Sequence, residues 1–439
     1  MDPMILTLLV LVMIMVGFFS GKFSFALVSV TGIAILEIGG VLSAKEAWAG
    51  FSDKSVVLTV ALFVLGGGLA KTSLITRLKY MLNDYKGDSK YAIWAILGAS
   101  SLLAVCTASN IAAATLIPVI ISLCDGNPKL SRTQIIKSSG DMMNIWTGTL
   151  PLGMAAGTFM LMNSMIENLG GTGTFKIMDM TIAKILPVIV CTIFQFVFGY
   201  KLANKEPHGP LKEFGLKVPN LPEGKLTTLT NFQDKAALSL FALSVLGMIF
   251  VSVKPAAMMP FLTTNTVAIV CAILMVLCGA LNEKEAFGSI SWNIVFMFAG
   301  LLPLSTAMSN SGADQAIANL IQTMLGGTTN AYVIVGAFFL VPAILTQFMS
   351  NTAVGMIFLV LAAATSLNMG IDPRAAMLAA GIGSTVSVMS PIASPAQTMV
   401  WGTGGYNIKD FLKSGTPLVV IFFIVYMLTA PFFFPVNPL

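Results

Sequence analysis

The chain has 439 residues, of which 56% are apolar and only 10% charged, against about 25% charged in an ordinary soluble domain. Together with a mean hydropathy of +0.87, this excludes a soluble globular protein. The long apolar runs, broken by Gly and Pro, also exclude the alternating segments of an outer-membrane barrel and leave an all-α integral membrane protein.

The net charge of +5 does not point to nucleic acid, because the basic residues lie between apolar runs, where they orient the chain. No basic region precedes the first run, Met4 to Phe19, and no small-residue cleavage site closely follows it, so it reads as the first span. Further spans are expected at roughly 23–41 and 55–70, then a basic amphipathic surface segment at 71–90. The stretch 91–124 holds no Lys, Arg, Asp or Glu, with Ser109-Asn110-Ile111 near its middle. A broken span follows at 136–162, interrupted by Gly148, Pro151, Gly153 and Gly157, and a continuous one at 180–200.

The Pro-containing polar segment 201–235 reads as a linker between halves. Beyond it, spans are expected at 236–253, 261–281 and 291–309, a second surface segment at 311–329, and a second uncharged stretch at 330–367 carrying Ser350-Asn351-Thr352. A broken span at 373–400, with Gly381, Gly383, Pro391 and Pro395, and a final span at 416–434 complete about ten crossings. Cys106, Cys124, Cys191, Cys271 and Cys278 have no ligand spacing and read as packing residues.

The halves repeat. "GFSDKSVVLTVALF" from Gly50 and "GSISWNIVFMFAG" from Gly288 are 238 apart, the Ser-Asn pairs 241 apart, and Pro151 and Pro391 240 apart. We therefore divide the chain into N-terminal frame spans at 1–49, a first repeat at 50–200, the linker at 201–235, frame spans at 236–287 and a second repeat at 288–439. Matched broken segments of this kind point to a secondary transporter with its site between the repeats. With the uncharged stretches taken as re-entrant hairpins and the N-terminus outside, 18 of the 24 basic residues fall inside and six, Lys184 among them, outside. That split obeys the positive-inside rule and makes the repeats inverted.

Two hairpin tips entering from opposite faces would bring helix ends, Asn amides and Ser hydroxyls together near mid-membrane. Helix N-termini suit an anion and C-terminal carbonyls a cation. Inside the spans the acidic candidates are only Glu37 and Asp141, and the single histidine, His208, lies in the linker. The site is thus expected to work without a buried ionic side chain, through sodium ligation or anion exchange. A sodium/proton antiporter would instead need Asp141 to titrate. No HExxH motif, Ser/His pair or nucleotide loop supports an enzyme.

"TQFMSNTAVGM" from Thr346 and "SPIASPAQTMVW" from Ser390 resemble the paired signatures of the divalent anion/sodium symporter family, the dicarboxylate, citrate and sulfate carriers. The resemblance covers about residues 50–435. It implies a homodimer of inverted-repeat protomers in the bacterial cytoplasmic membrane, working as an elevator. The expected cargo is a small divalent anion, with a C4-dicarboxylate first, citrate, sulfate or another oxyanion as alternatives, and no cofactor beyond coupling sodium. By similarity, Asn351 and Thr352 contact a substrate carboxylate, while Thr346, Ser350, Asn351 and the Ala393 backbone surround a sodium ion. Ser394 and Pro395 match the family's Thr-Pro turn beside the substrate. In the first half Ser109, Asn110 and Gly148 or Gly153 remain, but Ile111 replaces a Thr and Val105 a residue that can offer a hydroxyl. The first sodium site is left with fewer oxygen ligands.

Overall fold

Polar residues placed just before apolar runs begin most of the helices. Ser24, Asp53, Ser131, Thr263, Asn330, Asp372, Ser394 and Asn407 each accept a hydrogen bond from a backbone N–H of the first turn that follows, satisfying donors that have no partner inside a helix. Pro373 and Pro395 stand at first helical positions, where their missing N–H costs nothing. In the computed structural model the described residues are 2–20, 22–73, 89–107, 109–125, 130–152, 157–172, 175–211, 227–253, 261–324 and 330–434.

The helices of the first half are α1 (Pro3–Ser20), α2 (Phe25–Ile38), α3 (Ala44–Trp48), α4 (Lys54–Ala70), α5 (Ser89–Cys106), α6 (Ser109–Asp125), α7 (Arg132–Trp146), α8 (Thr158–Asn168) and α9 (Asp179–Val197). Those of the second are α10 (Asn231–Val253), α11 (Thr264–Leu277), α12 (Glu283–Ser289), α13 (Trp292–Ser311), α14 (Ala313–Met324), α15 (Ala331–Leu345), α16 (Asn351–Asn368), α17 (Pro373–Thr385), α18 (Pro395–Gly402) and α19 (Ile408–Phe433). Among the described residues there is no strand; Leu211 and Gly404 form an isolated antiparallel bridge. Six helical segments are long and apolar enough to cross a membrane: 44–70, 179–197, 231–251, 292–311, 351–368 and 408–433. Most of the surface segment expected at 71–90 (74–88), the middle of the linker (212–226) and Gly153 lie outside the described residues.

Each uncharged stretch is two helices joined by a short turn, α5–α6 and α15–α16, with its Ser-Asn pair at the start of the second arm. Each broken span is likewise two helices, α7–α8 and α17–α18. The correspondence also reaches upstream of Gly50. Gly40 and Gly279, both in the left-handed region that suits a residue without Cβ, are 239 apart. So are the capping boxes Ser43–Glu46 and Asn282–Glu285.

Packing follows the same pairing. Helix α2 lies on α13 as α11 lies on α4, and α1 joins α2 as α10 joins α11. The α2–α13 crossing is close because a Cβ on Gly300 would stand only 2.8 Å from the Ser29 Cβ. In the core, α5 and α6 pack on α7, and α15 and α16 pack on α17. The short helices after the breaks are exchanged: α18 packs on α6, and α8 on α16. The two closing helices, α9 and α19, pack on each other, and the buried Tyr426 hydroxyl donates to Ala375 O at 2.7 Å to fix α19 on α17.

Candidate functional site

At the second tip, Ser350 caps α16 in an extended conformation, yet its side chain accepts no bond from the first turn. The N–H groups of that turn therefore face the tip without a side-chain cap, at the positive end of the helix dipole. The rest of the turn is bound to the interruption between α17 and α18. The Thr346 hydroxyl lies 2.7 Å from Asn351 Oδ1 and 2.8 Å from Ser384 O. Asn351 Nδ2 donates to Ser387 Oγ at 2.8 Å. Gln347 Nε2 donates to Ala343 O and Val386 O, and its Oε1 accepts from Met389 N. A hydroxyl has one proton, so Thr346 Oγ1, Asn351 Oδ1 and Ser384 O converge with a single proton among them. Such a group of neutral oxygens fits a small hard cation.

The other predicted residues are distributed around this turn. Ser350 and Thr352 are half-buried at the start of α16, and Ala393 is buried just before α18. Pro395 is exposed. The Ser394 hydroxyl is taken up by Gln397 N and by the Asn144 side chain of α7, at 2.9 Å from Asn144 Nδ2. Asn144 Nδ2 also donates to Ser387 O at 2.8 Å, so the end of α7 is bound to the interruption of the other half.

The first tip is built differently. At the spacing of 241, Val105 stands where Thr346 does, Cys106 where Gln347 does and Ile111 where Thr352 does. Val105 is buried, Ser109 half-buried, and Asn110 and Ile111 exposed. Among the described residues, no hydrogen bond links the Ser109 or Asn110 side chain to α7 or to the turn after it. That turn runs through Gly148, whose φ of 71° lies in the left-handed region.

The expectation of a site without buried ionic side chains is corrected. Lys137 and Asp141, one turn apart on α7, form an ion pair with both side chains fully buried. Lys137 Nζ also donates to Val388 O at 3.2 Å and lies over the Phe411 ring, and Gln397 Nε2 donates to Asp141 Oδ1 at 2.9 Å. Lys184 is 1% exposed and donates to Thr147 O at 2.7 Å and Thr385 Oγ1 at 3.2 Å. In the positive-inside count both lysines stand as charges near the ends of expected spans. They lie inside α7 and α9, buried with their ammonium groups against the interruptions, and the hydrogen bonds offered there offset the cost of burying charge. Without them the basic residues still divide 17 to 5. The other acidic candidate, Glu37, accepts from Trp48 Nε1 at 2.9 Å near the end of α2, an interfacial role.

A cleft of about 750 Å³ opens away from both tips, among Trp94, Gln134, Phe196, Tyr200, Lys201 and Lys205. Among the described residues no group of three His, Cys, Asp or Glu side chains comes together to hold a metal.

Comparison with known proteins agrees with this architecture. The chain is 32% identical over 235 residues to the uncharacterized transporter sll0640 of Synechocystis, an alignment covering 52% of this chain but only 37% of that relative. It is 22% identical over 445 residues to the sodium-dependent dicarboxylate transporter SdcS of Staphylococcus saprophyticus, covering 92% of this chain and 82% of the relative. The crystal structure of the YdaH transporter of Alcanivorax borkumensis superposes with a TM-score of 0.62 over 90% of this chain and 89% of that one at 15% identity, a likeness of fold. The family and these relatives are transporters rather than enzymes. The model of the citrate transporter family, CitMHS, matches residues 8–383, and the chain belongs to that family.

Proposed function

We propose that the chain is a secondary carrier of small divalent anions, with a C4-dicarboxylate such as succinate as the leading substrate. The observation that carries this reading is the second tip, where an uncapped helix N-terminus, which suits a carboxylate, adjoins the oxygens of Thr346, Asn351 and Ser384, which suit sodium. The name of the Staphylococcus relative supports both the dicarboxylate and the sodium. The family's description favours citrate as the second candidate.

In this reading the helix pairs α5–α6 and α15–α16 are re-entrant and the two halves are inverted, with the N-terminus outside and the protomers paired as homodimers in the cytoplasmic membrane. Five crossings per half, α1, α2, α4, the interrupted α7–α8 and α9 with their counterparts, reverse the second half relative to the first. Helix α16, long enough to cross by itself, is the element that tests the re-entrant geometry. The tips, the interrupted helices and the α9–α19 pair are bound to one another and would move as one body against a frame of α1–α4 and α10–α13, as an elevator.

The test is uptake of labelled succinate, citrate and sulfate into proteoliposomes, with and without an inward sodium gradient and with and without internal unlabelled anion. Gradient-driven uptake establishes symport, and uptake that needs internal anion and ignores sodium establishes exchange. Accumulation of none of the three above protein-free vesicles would overturn the proposal.

A further inference from the structure

Two buried lysines of the first half reach the interruptions. Thr147 O, just past the end of α7, accepts from Lys184 Nζ. Val388 O, in the interruption after α17, accepts from Lys137 Nζ. Thr147 and Val388 are 241 apart, the spacing of the two Ser-Asn pairs, so the two acceptor carbonyls occupy matched places, although both lysines come from the first half. A helix that stops inside the protein leaves unpaired carbonyls and a partial negative charge at its C-terminal end. In a low dielectric that end attracts a cation.

The two lysines differ in what surrounds them. Lys137 is neutralised by Asp141 and so brings no net charge of its own to the second interruption; Lys184 lies between Thr147 O and Thr385 Oγ1, the last residue of α17. Lys184 has no carboxylate within ion-pairing distance among the described residues. Its acceptors are the neutral Thr147 O and Thr385 Oγ1, which leave one of its three N–H donors open. The oxygen ligands divide the opposite way: the second tip has Thr346 and Asn351 together with Ser384 O, while the first has Val105 in place of the hydroxyl.

We propose that the Lys184 ammonium is the resident cation of the first half, standing where a coupling ion would otherwise bind. At most one sodium ion, held through Thr346 and Asn351 in the second half, then accompanies each anion. The inference rests on the carrier reading and deepens it by fixing the ion count.

The first measurement needs no variant and no anion: detergent-solubilised wild-type protein is titrated with sodium while its thermal stability is followed, with choline as control. A single-site curve, or no sodium effect, is the expected result, and a two-site or sigmoidal curve with a Hill coefficient near two overturns the proposal. Because it is read without transport, this curve separates failure of the inference from failure of the proposed function. In proteoliposomes, Lys184→Gln should lower the apparent affinity for succinate roughly tenfold, and Lys184→Arg, which keeps the charge, should restore most of it. Unchanged affinity in Lys184→Gln would equally overturn the proposal.

Discussion

The two tips begin from the same Ser-Asn pair and are held in opposite ways. In the second half, Thr346, Gln347 and Asn351 make hydrogen bonds to Ser384, Val386, Ser387 and Met389 of α17 and its interruption. Four such bonds at about 1 kcal/mol each resist separation of α15–α16 from α17 by roughly 4 kcal/mol. In the first half the places of Thr346, Gln347 and Ser387 are filled by Val105, Cys106 and Trp146. Trp146 turns toward α9, where its Nε1 donates to Thr192 Oγ1 at 3.0 Å. The two tip regions thus share a helix plan while dividing their chemistry: neutral oxygens gather at the second tip, and the Lys137–Asp141 pair and Lys184 are carried by helices of the first half.

The sharpest way to break this contrast is through α7. At the positions of Lys137 and Asp141, α17 carries Leu378 and Ile382. Asp141→Ile alone leaves the buried Lys137 ammonium unpaired and should cost about 3–5 kcal/mol, read as a large drop in melting temperature of the solubilised protein. Lys137→Leu with Asp141→Ile copies the second half and should recover most of the loss; a double variant no more stable than the single one would show that the pair is not coupled. Next in size, Asn351→Ala should abolish succinate uptake, by more than roughly 100-fold, with expression intact, whereas Asn110→Ala should cost about tenfold. Equal losses would erase the asymmetry of the tips.

Thr346→Val removes the hydroxyl between Asn351 and Ser384 and should raise the sodium concentration for half-maximal uptake about tenfold, the equivalent of a hydrogen bond of ~1.4 kcal/mol. An unchanged sodium requirement would move the cation elsewhere. The smallest effect is expected of Ile111→Thr, at a side chain 39% exposed: stability should stay within about 0.5 kcal/mol and uptake should persist, with any sodium dependence strengthened. A severe loss would mark the isoleucine as a selectivity element.

Most helix positions were legible in the sequence, because apolar runs, Gly and Pro breaks and cap residues act locally. The final helix shows the limit: α19 starts at Ile408 rather than near 416, since the capping box of Asn407 and Asp410 carries the helix through Lys409 and Lys413, which a hydropathy reading excludes. The burial of Lys137 and Lys184 was not legible, since a charge in or beside an expected span looks the same whether its helix face meets water or another helix. One signal was available: Lys137 and Asp141 are spaced to share a helix face. The correspondence upstream of Gly50 is also present in the sequence, in "GVLSAKEAWAG" from Gly40 and "GALNEKEAFGS" from Gly279. The surrounding apolar residues are interchangeable enough to hide it. Within the site, residue types showed which atoms could bond. The exchange of α8 and α18 between halves depends on contacts between segments roughly 180 to 290 positions apart, and no local pattern encodes it.

That exchange has a consequence for biogenesis. The face of α6 (109–125) that receives α18 (395–402) stays open until α18 has been made, about 270 residues later. At synthesis rates of about 5–20 residues per second, the newborn chain waits roughly 15–50 s in that state. The insertion machinery or surrounding lipid must shelter the waiting hairpin over that interval, so a slowed ribosome should harm yield of this protein more than that of a membrane protein whose neighbours in sequence are its neighbours in space.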